Sequence, residues 1–151
     1  MRDLHNNIKI SNSITPQKAQ GTTDITGSDI DVQGYESLEH VVTLGASGDT
    51  LSGSVKMDLI LEHADADSTG SVAGTYSAVA SADDVIGGTV DASGIFTTIN
   101  SNSLANTQYK IGYVGSKRFT RVRVDLTGTH TNGTNLAGLA LLGNANLKPV
   151  S

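Results

Sequence analysis

From Phe119 to Thr127 the chain reads FTRVRVDLT, with Val122, Val124 and Leu126 on one side of a two-residue period and Arg121, Arg123 and Asp125 on the other. Such alternation describes a strand with one buried and one solvated face. SVKMDLILE repeats it, setting Val55, Met57, Leu59 and Leu61 against Lys56, Asp58, Ile60 and Glu62. Helical periodicity is nearly absent. SDIDVQGY and SLEHVVTL give two more strands split by a bend at Gly34, and GIFTTIN, YKIGYV and NLAGLALLG add others. NNIKIS and DDVIGG are weaker candidates. About eight or nine short strands separated by turn residues predict an all-β fold: an antiparallel β-sandwich, jelly-roll-like, with a small barrel as the alternative closure.

The turns are expected at residues 45–48, 65–74, 87–88, 100–106, 115–117 and 127–135, where Gly, Asn, Asp and Ser cluster. Pro16 and Pro149 are expected outside the strands, where a missing N–H breaks no ladder. Residues 1–20 are polar and weakly periodic, and we expect them to form an extended N-terminal arm on a sandwich domain of residues 21–151. There is no Trp and only four Tyr and two Phe, so the core must be built from Val, Ile, Leu and Ala.

The absence of cysteine excludes disulfides, thiolate metal sites and Cys nucleophiles. A net charge of −5 argues against direct nucleic-acid binding over a broad face. The opening residues, MRDLHNNIKI, carry no apolar signal region, and no stretch approaches the roughly 18 apolar residues of a membrane span. The expectation is a soluble chain made in a cytoplasm, with no membrane partner.

Residues 109–126 hold five of the ten basic residues: Lys110, Lys117, Arg118, Arg121 and Arg123. VGSKR joins two alternating runs, so a hairpin is expected, with Lys117 and Arg118 at its tip and Arg121 and Arg123 on its outer face. A docking patch and a solvated charged face both fit this run; Arg is favoured at interfaces for its planar fork. The DADSTG stretch from Asp65 to Gly70 resembles a calcium loop briefly, but the twelfth position from Asp65 is Tyr76 where a bidentate Glu is needed. His5, His40, His63 and His130 lack metal-ligand spacing, and His40 reads as a structural histidine within a strand. The Asn132 sequon reads as an Asn-Gly turn. No nucleophile elbow, zinc-protease motif or phosphate loop is present, so neither enzymatic activity nor a metal or other cofactor is expected.

Four stretches carry a family resemblance. MRDLHNNIKI, DVQGYESLEHVVTLG (31–45), LILEHADADSTGSVAGTYSAV (59–79) and YKIGYVGSKRFTRVRV (109–124) together resemble a family of small structural proteins of tailed bacteriophages and prophages, encoded near head genes. The resemblance covers most of the chain in the same order, although the middle is longer and richer in Gly and Ser. It implies a virion structural role. Within that role the expected function is capsid decoration: a cement protein on the capsid surface that binds the major capsid protein and itself, as a dimer or trimer. Contact is expected through Arg2, Leu4, Ile8 and Ile10 of the arm and through Lys117, Arg118, Arg121 and Arg123. A head–tail connector or tail component is the alternative, and a glycan- or receptor-binding module on the virion surface a second one.

Overall fold

The computed structural model describes residues 3–147 as eleven strands and two single-turn 3-10 helices, at Ala82–Asp84 and Asn102–Leu104. The strands are β1 (Ile8–Gly21), β2 (Ile25–Thr26), β3 (Ile30–Asp31), β4 (Tyr35–Ser47), β5 (Lys56–Ala64), β6 (Ser77–Ala78), β7 (Val85–Ile86), β8 (Ile95–Ile99), β9 (Gln108–Tyr113), β10 (Phe119–Thr127) and β11 (His130–Ala145). They form the expected antiparallel sandwich. One sheet has the order β1-β11-β4-β9-β7. The other is built on β10 and β5, with β2 and β3 pairing the free side of β10, and β6 and β8 that of β5. The three longest strands, β1, β4 and β11, lie in the first sheet with β9, and the chain crosses to the second between them. Among the described residues no helix is long and apolar enough to cross a membrane.

The core forms where the two inner faces meet. Met57, Leu59 and Leu61 of β5 and Val122 and Val124 of β10 face Val42 and Leu44 of β4, Ile111 of β9, and Leu136, Ala140 and Leu142 of β11. Each is nearly or wholly removed from solvent. Burying one such side chain stabilises the fold by about 1.5–3 kcal/mol. The alternation in β10 therefore holds as expected, with Arg121, Arg123 and Asp125 outward, whereas Asp58 and Ile60, expected on the solvated face of β5, are buried.

Three expectations are corrected. Residues 1–20 do not form an arm beyond residue 7, because Ile8–Gly21 is an edge strand paired along β11 from Ile8↔Gly143 to Gly21↔His130. Irregularities at Asn12/Ile14, Ile14/Gln17 and Ala19/Gly21 break its alternation, which hides the strand in the sequence. Ser13, Ile14 and Ala19 are nonetheless fully buried, and Pro16 sits inside this strand rather than outside one. An edge position tolerates it. Gly27 ties the same strand to the second sheet: its N–H donates to Val122 O at 2.9 Å, and a Cβ there would lie 2.6 Å from Ser13 O.

Secondly, β9 and β10 are not a hairpin. β9 pairs with β4 and β7, whereas β10 pairs with β5, β2 and β3, so residues 114–118 cross from one sheet to the other. Alternation alone does not distinguish these cases, since both strands need one inward face. The crossing is braced by Tyr113, whose hydroxyl accepts from Lys117 N at 3.1 Å. Thirdly, Asn132-Gly133 is not a turn between strands. It lies within β11, at the irregularity opposite Ala19/Gly21, where Gly133 adopts φ +70°.

Candidate functional site

The outer faces of the two sheets differ in kind. On the β10–β5 sheet, Arg121 donates to Glu62 Oε2 at 2.6 Å, and Arg123 donates to Glu62 Oε1 at 3.1 Å and to Asp24 Oδ2 at 3.0 Å. Cross-strand pairing of Arg121 with Glu62 sets this geometry. Tyr76 stacks on the Arg121 guanidinium, 3.8 Å from its ring centroid, and donates its hydroxyl to Asp29. Burial, with Asp29 adding to it, raises the Tyr76 pKa. Lys56 pairs with Asp58, which also accepts from Thr98. Beside them, burial and a hydrogen bond with Asp24 raise the Asp125 carboxyl above the ordinary range.

The basic residues singled out in the sequence are thus engaged within the chain. Arg118 clasps Asp31 through two nitrogens, at 2.9 and 2.7 Å, and donates to Gly70 O at 2.7 Å. That bond holds the Asp31 carboxyl below the usual carboxylate range. Lys117 pairs with Asp65. The structure brings Lys117, Arg118, Arg121 and Arg123 together along one strand and the connection entering it, but as ion-paired straps holding the 24–31 and 65–76 loops.

The acidic loop closes on itself. The Asp67 carboxylate accepts from the Thr69 hydroxyl at 2.7 Å and from Thr69 N at 3.1 Å, which lowers its pKa. Among the described residues no group of three or more His, Cys, Asp or Glu side chains is placed to hold a metal ion.

Ser13, His40 and Thr120 form a buried polar line between the sheets. Ser13 Oγ lies 3.2 Å from His40 Nδ1, and Thr120 Oγ1 lies 2.9 Å from His40 Nε2. It has the residue types of a nucleophile and base, but all three side chains are fully buried and no substrate atom could reach them. The sequence marked His40 as structural and missed Ser13, which fell in the expected arm.

The outer face of the β1-β11-β4-β9-β7 sheet is different. Register places Ile8 beside Gly143, Ile10 beside Leu141 and Asn12 beside Leu139. Leu139 then neighbours Val41, and Leu141 neighbours Glu39, with Lys110 and Gly112 next on β9 and Ile86 beyond. Ile10 is 58% exposed, Leu139 40% and Ile86 60%. Glu39–Lys110, at 3.3 Å, is the one ion pair on this face among the described residues. An open depression of about 480 Å³, lined by Pro16, Lys18, Thr43, Asn135 and Ala137, lies at one end of it. Two further apolar side chains, Leu4 and Leu147, flank the end where β1 begins and β11 finishes, and are 66% and 87% exposed. Arg2 lies outside the described residues. The signal for this face was NLAGLALLG, which is apolar or small at both parities of the strand period, as a strand covered on both sides would be.

No protein-family model matches the chain, and no curated protein matches it. Several solved structures are similar, three of them as follows. A pilus of Bacillus endospore appendages is 9% identical, over 97% of this chain and 98% of that one, with a TM-score of 0.39. The SPBc2 prophage-derived protein YomS is 14% identical, over 89% of this chain and 93% of that one, also at 0.39. The infectious bursal disease virus VP2 subviral particle is 15% identical, over 90% of this chain and 40% of that one, at 0.28. At TM-scores below 0.5 these similarities bear on neither activity nor partner.

Proposed function

We propose that the protein is a structural protein of a tailed-phage virion, and specifically a capsid decoration protein that binds the assembled major capsid protein shell. The observation that carries this reading is the asymmetry of the sandwich. One face is closed by internal ion pairs, while five of the eight exposed large apolar side chains among the described residues, Ile10, Ile86, Leu139, Leu4 and Leu147, lie on the other face or at the Leu4/Leu147 end. That is the surface of a subunit built to assemble. The strand order β1-β11-β4-β9 opposite β2/β3-β10-β5-β6/β8 supports reading the sandwich as a jelly roll, two interlocked Greek keys. The resemblance of residues 1–10, 31–45, 59–79 and 109–124 to tailed-phage proteins supplies the virion context.

The mechanism is linkage. A protein that binds the closed lattice but not its separated subunits stabilises the lattice by mass action, and an oligomer bridging capsomers multiplies modest contacts. The Leu4/Leu147 end is the side we assign to the shell. Lys117, Arg118, Arg121 and Arg123 are occupied by internal pairs and serve this surface only by shaping the loops beside it. Sedimentation of the protein with assembled shells and with dissociated capsid subunits tests the reading. Binding to shells alone is expected, and equal binding to free subunits would contradict it.

A further inference from the structure

The bare face of the five-stranded sheet is divided unevenly. Its β1 and β11 half carries the aliphatic bulk, with Ile8, Ile10, Leu139 and Leu141, while its β4 and β9 half presents the smaller Ser37, Val41 and Thr43 around the Glu39–Lys110 pair, with Gly112 covered by Glu39 and Ile86. The free edge of β1 offers little for strand addition. Pro16 lacks an N–H, three irregularities interrupt the ladder, and Lys9 and Lys18 are exposed along it. Such devices block edge-to-edge pairing, which leaves the face rather than the edge.

We infer that this face packs against the same face of a second copy, about a two-fold axis running along the strands between β11 and β4. The registers support that axis. Asn12, Leu139, Val41 and Lys110 lie at one level across the sheet, and Ile10, Leu141, Glu39 and Gly112 at the next. The rotation exchanges β11 with β4 and β1 with β9. It sets Leu139 over the partner copy's position 41, Ile10 over position 112, where Ile86 covers the glycine, Leu141 over the stem of Glu39, and the Lys110 ammonium over the polar position 12. Apolar side chains meet at Leu139 with Val41 and at Ile10 with Ile86, and each Glu39 carboxylate lies opposite the partner copy's β11 rather than opposite the other Glu39. An axis across the strands would set β1 on β1 and β11 on β11, bulk against bulk. Paired sheets of this kind stack about 10 Å apart. Four strands about 4.8 Å apart and roughly ten residues long give about 600 Å² of sheet per copy, near the lower end for a stable isologous interface.

The axis has a consequence for attachment. Rotation about the strand direction leaves that direction unchanged, so both Leu4/Leu147 ends point the same way. The dimer is a two-footed clamp, suited to a junction between two neighbouring subunits of a lattice. The pairing itself stands without the decoration reading.

The test is sedimentation equilibrium of the full chain from about 1 to 100 μM, a range that brackets micromolar pairing, beside the Leu139→Lys variant. We expect a dimer for the chain and a monomer for the variant, with the same circular dichroism and, at concentrations low enough that both are monomeric, the same melting temperature. Because the chain has no Cys, singly substituted Val41→Cys and Leu139→Cys chains can be mixed and treated with a bifunctional thiol reagent matched to the ~10 Å sheet spacing. Cross-linked heterodimers are expected from the mixture. A chain monomeric throughout, or a dimer or trimer indifferent to Leu139→Lys, overturns the inference. A monomer whose shell binding is lost on Leu139→Lys also overturns it, by giving the face to the capsid protein. A dimer that is missing from virions keeps the inference and removes the decoration reading.

Discussion

His40 Nε2 lies 2.9 Å from Thr120 Oγ1, and this contact joins the two sheets at the centre of the sandwich. With Ser13 on Nδ1, both ring nitrogens of a fully buried imidazole have hydroxyl partners. The arrangement suits neutral imidazole, since hydroxyls can donate or accept but bring no charge.

Burial accordingly lowers the His40 pKa from 6.5 to about 4. Between those values the unfolded chain takes up a proton that the folded chain excludes. Stability from this group is therefore complete above pH 6.5, falls as the pH drops towards 4, and is flat below. The loss is about 3 kcal/mol at about 1.4 kcal/mol per unit. Burial lowers His63 as well, so its contribution has the same sign. Urea midpoints across pH 4–7 for the chain and a His40→Gln variant isolate the His40 share. The variant is expected to be less stable at pH 7 and to show a shallower slope, and an unchanged slope would remove His40 as its source.

Leu59 and Leu139 distinguish the core from the exposed face. Leu59 is fully buried on β5, and Leu59→Ala is expected to cost about 2–5 kcal/mol through lost contacts and a cavity. Leu139 points away from the core, and Leu139→Ala is expected to change the stability of the monomer by less than about 0.5 kcal/mol. Denaturant titration at low protein concentration checks both.

Two truncations separate attachment from folding. Removing residues 1–7 takes away Leu4 but leaves β1, so the chain should fold and bind shells more weakly. Removing residues 1–20 deletes nearly all of β1, including Ile14, Ala19 and the Ser13 partner of His40. That chain should lose its cooperative melt. A folded product from the longer truncation would show β1 to be dispensable, and full shell occupancy by the shorter one would take the shell contact away from this end.

Glu62 joins Arg121 to Arg123 with only 12% of its side chain exposed. Glu62→Gln leaves two guanidiniums short of a carboxylate, and is expected to destabilise by about 1–2 kcal/mol after allowance for solvent screening of the partly exposed arginines. Thermal melts at low and high salt measure it, the difference from the parent chain narrowing as salt rises.

The long strands were legible where one face is dry and the other wet. Val122, Val124 and Leu126 against Arg121, Arg123 and Asp125 gave β10, and Met57, Leu59 and Leu61 gave β5. Of the edge strand β1 only the start was, as the weaker candidate NNIKIS, because each irregularity from Asn12 onward shifts the parity of the residues after it, and Ile14 and Ala19 fall out of step. The two-residue strands β2 and β6 are too short to carry a period at all. Sheet membership was hidden too: Tyr113 and Phe119 are six residues apart and belong to opposite sheets, a choice made by tertiary packing. The bare face was written in NLAGLALLG, but its meaning depends on finding β11 inside a sheet whose outer side has no cover.

The decoration role is decided by counting copies of this chain against the major capsid protein in purified virions, by quantitative mass spectrometry. A decoration protein predicts a ratio of order one, from about a few tenths upward, since multivalent cement must occupy the lattice throughout. A fixed handful of copies at a single ring would place the chain at the neck or tail, and absence from virions would contradict the account.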